Sequence, residues 1–173
     1  MLSESAKTKI RDLFPRYPDK RSVTLAALWI AQEEKGYVTE EAMADIAVLL
    51  DVTPVQVYET VTFYTMFTLQ PVGKYLIQVC RTLSCALVGA GSLIRHLEQR
   101  LGITVGETTA DGLFTLKKVE CLAACGAGPM MQINNEFYEY LTTDKVDRIL
   151  DDLKRDGRSS LASGPFLIPL QMA

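Results

Sequence analysis

The spacing of apolar residues changes once along the chain. Over the first seventy residues it has a helical period. "SVTLAALWIAQEEKG" sets Val23, Ala26, Ala27 and Ile30 at i, i+3, i+4 and i+7, with Ser22 as N-cap and Gly36 just past the end. "TEEAMADIAVLLD" sets Ala42, Ile46, Leu49 and Leu50 on one face, behind a Thr39 cap. Its acids fall in the first turn, where the helix dipole favours them. "TPVQVYETVTFYTMF" places Thr53 at N-cap, Pro54 at N1 and Gln56 at N3, a capping box with the favoured proline. Its aromatic centre predicts a well-buried helix. An opening helix near residues 3–14 ends before "PRYPDK", which is turn material.

After "QPVG", Gln70 to Gly73, the pattern alternates between short strands and helices. "KYLIQVC" is a strand. "LVGAGSLIRHLEQRLG" is a helix with Ala90, Leu93, Ile94, Leu97 and Leu101 on one face and Gly102 to stop it. "LFTLKKVEC" is a strand after the turn "TADG". "MMQI" and "EFYEY" are two short strands joined at Asn134-Asn135, a pair that tolerates a tight hairpin. Thr143 caps a last helix with Val146, Ile149, Leu150 and Leu153 on its apolar face. The order β-α-β-β-β-α predicts helices packed on a mixed sheet. The expected division is a helical region over 1–70, an α/β domain over 71–156 and a tail over 157–173. In the tail "GRSSLASGPFLIPLQMA", the apolar run Phe166 to Leu170 would be awkward in water and suits either its own domain or a partner subunit.

Composition narrows the function. With 48% apolar residues among 173, a core forms without a metal to hold it. A net charge of -3 argues against binding a phosphate backbone, so no nucleic-acid partner is expected. The N-terminus "MLSESAKTKIRDLF" lacks an apolar signal region, and no apolar run approaches the roughly 18 residues of a membrane span. A cytoplasmic chain without direct membrane insertion is expected. There, clustered cysteines are more often ligands or redox groups than disulfides.

The chain has four cysteines, Cys80, Cys85, Cys121 and Cys125, in the pattern C-x4-C and C-x3-C. Each pair follows a predicted strand and enters a loop of small residues, among them Ser84, Ala86, Ala123, Ala124, Gly126, Ala127 and Gly128. A β-α-β connection brings two strand ends side by side, so all four thiols converge at one end of the sheet. Small neighbours let backbone N–H groups reach sulfur. A [2Fe-2S] cluster, split two thiolates per iron, suits these gaps first. Zinc, which prefers C-x2-C but tolerates wider spacing, remains open as a structural staple of an interaction module. Disulfides or redox-active thiols, and buried thiols of no further role, follow behind. A thiol-disulfide oxidoreductase would need a C-x-x-C pair, which is absent.

At "GKYLIQVCRTLSC", "GETTADGLFTLKKVECLAACGAGPMMQINNEFYEYLT" and "FYTMF" the chain resembles the thioredoxin-like [2Fe-2S] ferredoxins, the small subunit of the NADH-oxidising module of respiratory complex I. The likeness runs from about Tyr17 to Leu153. It implies an α+β architecture: an N-terminal helical bundle, then a thioredoxin-like domain with a four-stranded mixed sheet. It implies one [2Fe-2S] cluster on Cys80, Cys85, Cys121 and Cys125. It also implies one-electron exchange with the flavin of a larger FMN- and NADH-binding partner among further complex I subunits, peripheral on the inner face of the membrane. The oxidoreductase activity would belong to that NADH:quinone assembly, with no complete active site in this chain. The same text resembles subunits of soluble NAD-linked formate dehydrogenases and NAD-reducing hydrogenases. One departure is "CLAAC", where the family often has "CLGAC", and it bears on the tightness of the loop at Ala123.

Other residues take plainer readings. His96, the one histidine, sits on a helix rim and is not expected to ligate. Trp29 and "FYTMF" read as core, with subunit contact second for "FYTMF". Arg81, Lys117 and Lys118 flank ligand positions. Each would favour a reduced, more anionic cluster, but ordinary solvated surface is the first expectation. Glu136 and Glu139 fall on opposite faces of a strand and do not form an acid–base pair. No G-x-G-x-x-G fingerprint marks a nucleotide site in this chain.

Overall fold

A computed structural model of the protein describes residues 1–165, and the apolar run Phe166 to Leu170 lies outside them. The chain divides into two compact units, Met1–Val72 and the remainder from Gly73.

The first unit is helical: α1 (Glu4–Leu13), α2 (Thr24–Lys35), α3 (Glu40–Leu50) and α4 (Pro54–Phe63). Ile10, Leu28, Ile46, Leu50 and Val57 are fully buried in one apolar core. Caps set the helix starts. Ser3 accepts from the Ala6 N–H, Thr39 from that of Ala42, and Thr53 with Gln56 closes the expected capping box. Ser22 caps nothing. It lies in a 3-10 turn, where its N–H and hydroxyl both donate to Asp19, and α2 starts two residues later behind Val23. The buried face of α2 is Thr24, Ala27, Leu28 and Ala31, one position on from the expected set. Both sets fit a helical period, and the one that encloses Leu28 is the one used.

The aromatic centre of α4 is not buried. Val57 and Val61, four apart, form its inner face, and Tyr58, Phe63 and Tyr64 fall off that face. Phe63 is 78% exposed, and among the described residues its ring meets the edge of Tyr64. The helix ends at Tyr64, so "FYTMF" has no helical spacing to turn it inward; only Phe67 reaches the core, against the edge of Trp29.

The second unit is built on a mixed sheet in the order β2-β1-β3-β4-β5. Its strands are β1 (Tyr75–Cys80), β2 (Phe114–Val119), β3 (Met131–Ile133), β4 (Glu136–Tyr138) and β5 (Gly164–Pro165). The four expected strands are joined by β5, two residues on the edge of β4, which the sequence pattern does not reveal. Its approach is fixed by the Ser163 N–H, which donates to the Phe137 carbonyl at 2.6 Å. β1 and β2 are parallel, from Tyr75 opposite Phe114 to Cys80 opposite Val119. β3 returns antiparallel to β1, and β3 and β4 form the hairpin whose turn holds Asn134 at φ 51°.

Between β1 and β2 run a short α5 (Leu83–Leu87) and the amphipathic α6 (Ala90–Leu101); α7 (Thr143–Asp156) follows the hairpin. Their apolar faces meet the sheet through Leu93, Leu97, Ile149 and Leu150. The cap of α7 is Thr142, which accepts from the Lys145 N–H, one residue before the expected Thr143. Thr142 and Thr143 are adjacent and alike, so composition alone does not choose between them. No described helix is long and apolar enough to cross a membrane.

Candidate metal centre

Because β1 and β2 run parallel, their C-terminal ends lie on the same edge of the sheet. Cys80 is the last residue of β1, and Cys121 lies two residues beyond the end of β2. β3 starts from that edge, and the Cys80 N–H donates to the Met130 carbonyl at 3.2 Å. The segment from Cys121 to Pro129 therefore crosses the ends of β1 and β2 and delivers Cys125 on the way. Cys85 comes from α5, a helix rather than the expected loop.

The four thiols form two unequal pairs. Cys80 and Cys85 are 2% and 1% exposed, above a small apolar floor of Ala90 and Met130 with Leu122, Ala124 and Phe137. Cys121 and Cys125 are exposed, with sulfurs 3.5 Å apart. All four are free thiols. Gly128 packs against Cys85. A Cβ there would come within 3.1 Å of Val88 Cγ2 and 3.3 Å of Cys85 Sγ, so an added side chain requires one of them to give way. The Gly128–Pro129 peptide is cis.

Donors surround the sulfurs. Thr82 Oγ1 lies 3.2 Å from Cys80 Sγ, and the N–H groups of Thr82 and Leu122 favour its thiolate. The Ala123 N–H donates to Cys121 Sγ at 3.3 Å. The Met130 N–H and the Ser84 hydroxyl favour the thiolates of Cys85 and Cys125 in turn. Burial opposes ionisation of Cys80. The donors at Thr82 and Leu122, with the Cys85 thiol, outweigh it and hold Cys80 below the ordinary thiol range. Cys85 is pushed up to about 11 by burial, then by its hydrogen bond to Cys80 and the Cys80 charge. Cys125 is raised by its hydrogen bond to Cys121 and by the Cys121 charge.

Thr82, Leu122 and Met130 were not among the small residues expected to let donors through. Their backbone groups act whatever their side chains, so composition carries no sign of them. The Thr82 hydroxyl, two residues after a cysteine, was the one legible signal.

Of the flanking charges, Arg81 pairs with Glu120, which ties the residue after Cys80 to the residue before Cys121. Both side chains are more than half exposed, so the pair adds little stability. Lys118 is exposed. Lys117 is half-buried, and burial lowers its pKa. His96 stays away from the thiols; its Nε2 is 3.0 Å from Asp147 Oδ1, which also accepts from Arg100.

Around the thiols lies an apolar rim that sequence reasoning did not single out. Leu83, Leu87 and Val88, on and just after α5, are 74%, 78% and 54% exposed. Their signal was present in "SCALVGAG", a short apolar run without the period that would turn it inward.

Among the described residues no three His, Cys, Asp or Glu side chains are placed to hold a single metal ion. Two sulfurs on one tetrahedral ion, at bonds of about 2.3 Å, lie about 3.8 Å apart. The 3.5 Å between Cys121 and Cys125 is close to that edge. Two thiol pairs with N–H or O–H groups at sulfur are the donor chemistry that a two-iron cluster would use.

Comparison with known proteins points the same way. Residues 10–154 match the family model of the thioredoxin-like [2Fe-2S] ferredoxins. The chain is 44% identical over 139 residues to a subunit of the NADH-quinone oxidoreductase of Rhizobium meliloti (strain 1021), covering 80% of this chain and 83% of that one. It is 40% identical over 151 residues to the mitochondrial NADH dehydrogenase [ubiquinone] flavoprotein 2 of Dictyostelium discoideum, covering 86% of this chain and 61% of that one. Among solved structures, an NAD+-reducing [NiFe]-hydrogenase in the H2-reduced state aligns with a TM-score of 0.66 at 22% identity. The alignment covers 77% of this chain and 23% of that one, and at such identity the likeness is one of fold.

Proposed function

Since the chain belongs to the thioredoxin-like [2Fe-2S] ferredoxin family, we propose that Cys80, Cys85, Cys121 and Cys125 hold one [2Fe-2S] cluster for an NADH:quinone oxidoreductase of the complex I type. Residues 71–156 carry the cluster in this reading, with 1–70 and 157–173 flanking it. The observation that carries the proposal is the convergence of two thiol pairs at one sheet edge, under donors aimed at sulfur.

When bound, the cluster supplies a site that takes and returns one electron. The chain's own residues do the rest. β1 and α5 anchor the inner thiols in an apolar floor, which excludes water from one side. Thr82, Ser84, Leu122, Ala123 and Met130 favour the thiolates and so offset negative charge as it grows on reduction. The exposed outer pair faces a partner.

That partner, in this reading, is the flavin- and NADH-binding subunit, within an assembly peripheral to the inner face of the membrane. Leu83, Leu87 and Val88 support it: an apolar rim beside an electron site is a surface that docking would cover. The cluster-loaded chain, mixed with the flavin-bearing subunit, is expected to form a stable complex. Leu87→Ser is expected to raise the Kd about tenfold, the effect of a contact worth about 1.4 kcal/mol, with iron and sulfide unchanged. Absence of any complex would contradict the proposed function; equal affinity of the variant would remove the rim from the interface.

A further inference from the structure

α4 carries apolar residues on both sides. Val57 and Val61 enter the core of the helical unit, while Val55, Tyr58 and Phe63 lie off that face and are each more than half exposed. Tyr64 and Met66 continue the exposed run past the helix end. A helix that is apolar all round is ordinarily enclosed all round. Val55, Glu59 and Phe63 fall at i, i+4 and i+8, so the Glu59 carboxylate stands in the middle of this outer face. Glu59 has no ion pair among the described residues.

Charge selects the occupant. From Gly36 to Gly73 the chain has five acidic residues and no lysine or arginine. Glu41 and Asp45 are met by the N-terminal amine and by Lys7, each at 3.9 Å, and no such cation reaches Glu59. An anionic lipid surface is repelled by a face of this sign. A second copy presenting the same face would set acid against acid. Any apolar surface laid over Val55 and Phe63 strips water from Glu59, and a carboxylate left unpaired there is costly. The occupant therefore brings a cation.

We propose that the outer face of α4 docks an amphipathic segment of another protein subunit, apolar towards Val55, Tyr58 and Phe63 and carrying a lysine or arginine that pairs with Glu59. The inference goes beyond the rim at Leu83, Leu87 and Val88: it concerns the helical unit and holds whether or not the cysteines carry a cluster.

The test places the photo-cross-linker p-benzoylphenylalanine at position 63 of the full chain, in the cells the protein comes from, and sequences the cross-linked peptide. Phe63 is exposed and the replacement is aromatic, so the fold is retained. The expected product is a peptide of another protein with a lysine or arginine within about four residues of the cross-link. Glu59→Lys in the same chain is expected to lower the yield about tenfold, and Glu59→Gln by less. Replacing the partner's cation by glutamate is expected to restore the yield of Glu59→Lys. A cross-link to lipid, to another part or copy of this chain, or to a segment without a cation would overturn the proposal. So would no product, or a yield indifferent to Glu59. Iron and sulfide are counted on the same chain, so a failure of the cluster reading shows separately.

Discussion

The two cysteine segments hold the same chemical groups in opposite surroundings. The segment from Cys80 to Cys85 grows out of β1, an inner strand, into α5, and its thiols are sealed against an apolar floor. The loop from Cys121 to Cys125 lies outside the sheet, and its thiols face solvent. The inner pair is positioned by the fold's own core. The outer pair is positioned by local backbone: the turn at Ala123, the 3-10 turn at Cys125 and the Arg81–Glu120 tie. In the proposed reading the difference separates two tasks, one segment fixing the cluster and the other presenting it.

The comparison would be broken most visibly by exchanging ligands. Serine at Cys80 or Cys85 must ligate as an alkoxide in an apolar, water-poor setting, where an unsolvated charge is penalised. At Cys121 or Cys125 solvent relieves that penalty. Cys80→Ser and Cys85→Ser are expected to retain roughly tenfold less iron than Cys121→Ser and Cys125→Ser. Equal loss from all four, by iron and sulfide assay, would erase the distinction.

The metal-free chain offers a pH test of the same asymmetry. Cys80 is held below its unfolded value, so its stabilising contribution is present above about pH 9 and is lost as pH falls through its folded pKa. Cys85 is raised from 9.0 to about 11, so the folded state keeps a proton that the unfolded chain has lost. Its contribution is full below pH 9 and disappears as pH rises towards 11. Stability against urea is expected to fall over that interval, with a shallower fall in Cys85→Ala. An equal slope in that variant would assign the fall to other groups, Tyr138 among them, whose hydroxyl is also raised by burial.

Smaller effects sharpen the picture. Gly128→Ala presses a methyl group onto Val88 and Cys85 and is expected to cost about 1–3 kcal/mol. Iron should leave the inner pair faster during chelation by a competing ligand. Thr53→Ala removes the α4 cap in the helical unit, at about 1 kcal/mol, and is expected to leave the iron content and the reduced spectrum unchanged. A change in either would show that the cysteine loops depend on the helical unit.

Much of this was legible in the sequence where one residue type has one use. The capping box at Thr53, the strand ending in Cys80 and the apolar face of α7 all follow from period and side-chain chemistry. The convergence of the two loops followed from the parallel β1 and β2. Legibility failed where neighbours compete for one role. Thr142 took the cap expected of Thr143, and the buried stripe of α2 moved by one residue to enclose Leu28. It failed again where an apolar residue has no buried place: Phe63 and Leu87 look like core in composition and are surface in the fold. Donors from the backbone of Leu122 and Met130 left no trace, because every residue but proline has that N–H.

The central claim is that these four cysteines hold one [2Fe-2S] cluster. It is tested most directly by the EPR spectrum of the anaerobically purified chain before and after dithionite, with iron and sulfide counted on the same sample. The predicted result is two irons and two sulfides per chain and a rhombic signal that appears only on reduction. A colourless chain, silent in both states and holding a single zinc, would contradict the claim and leave a structural module.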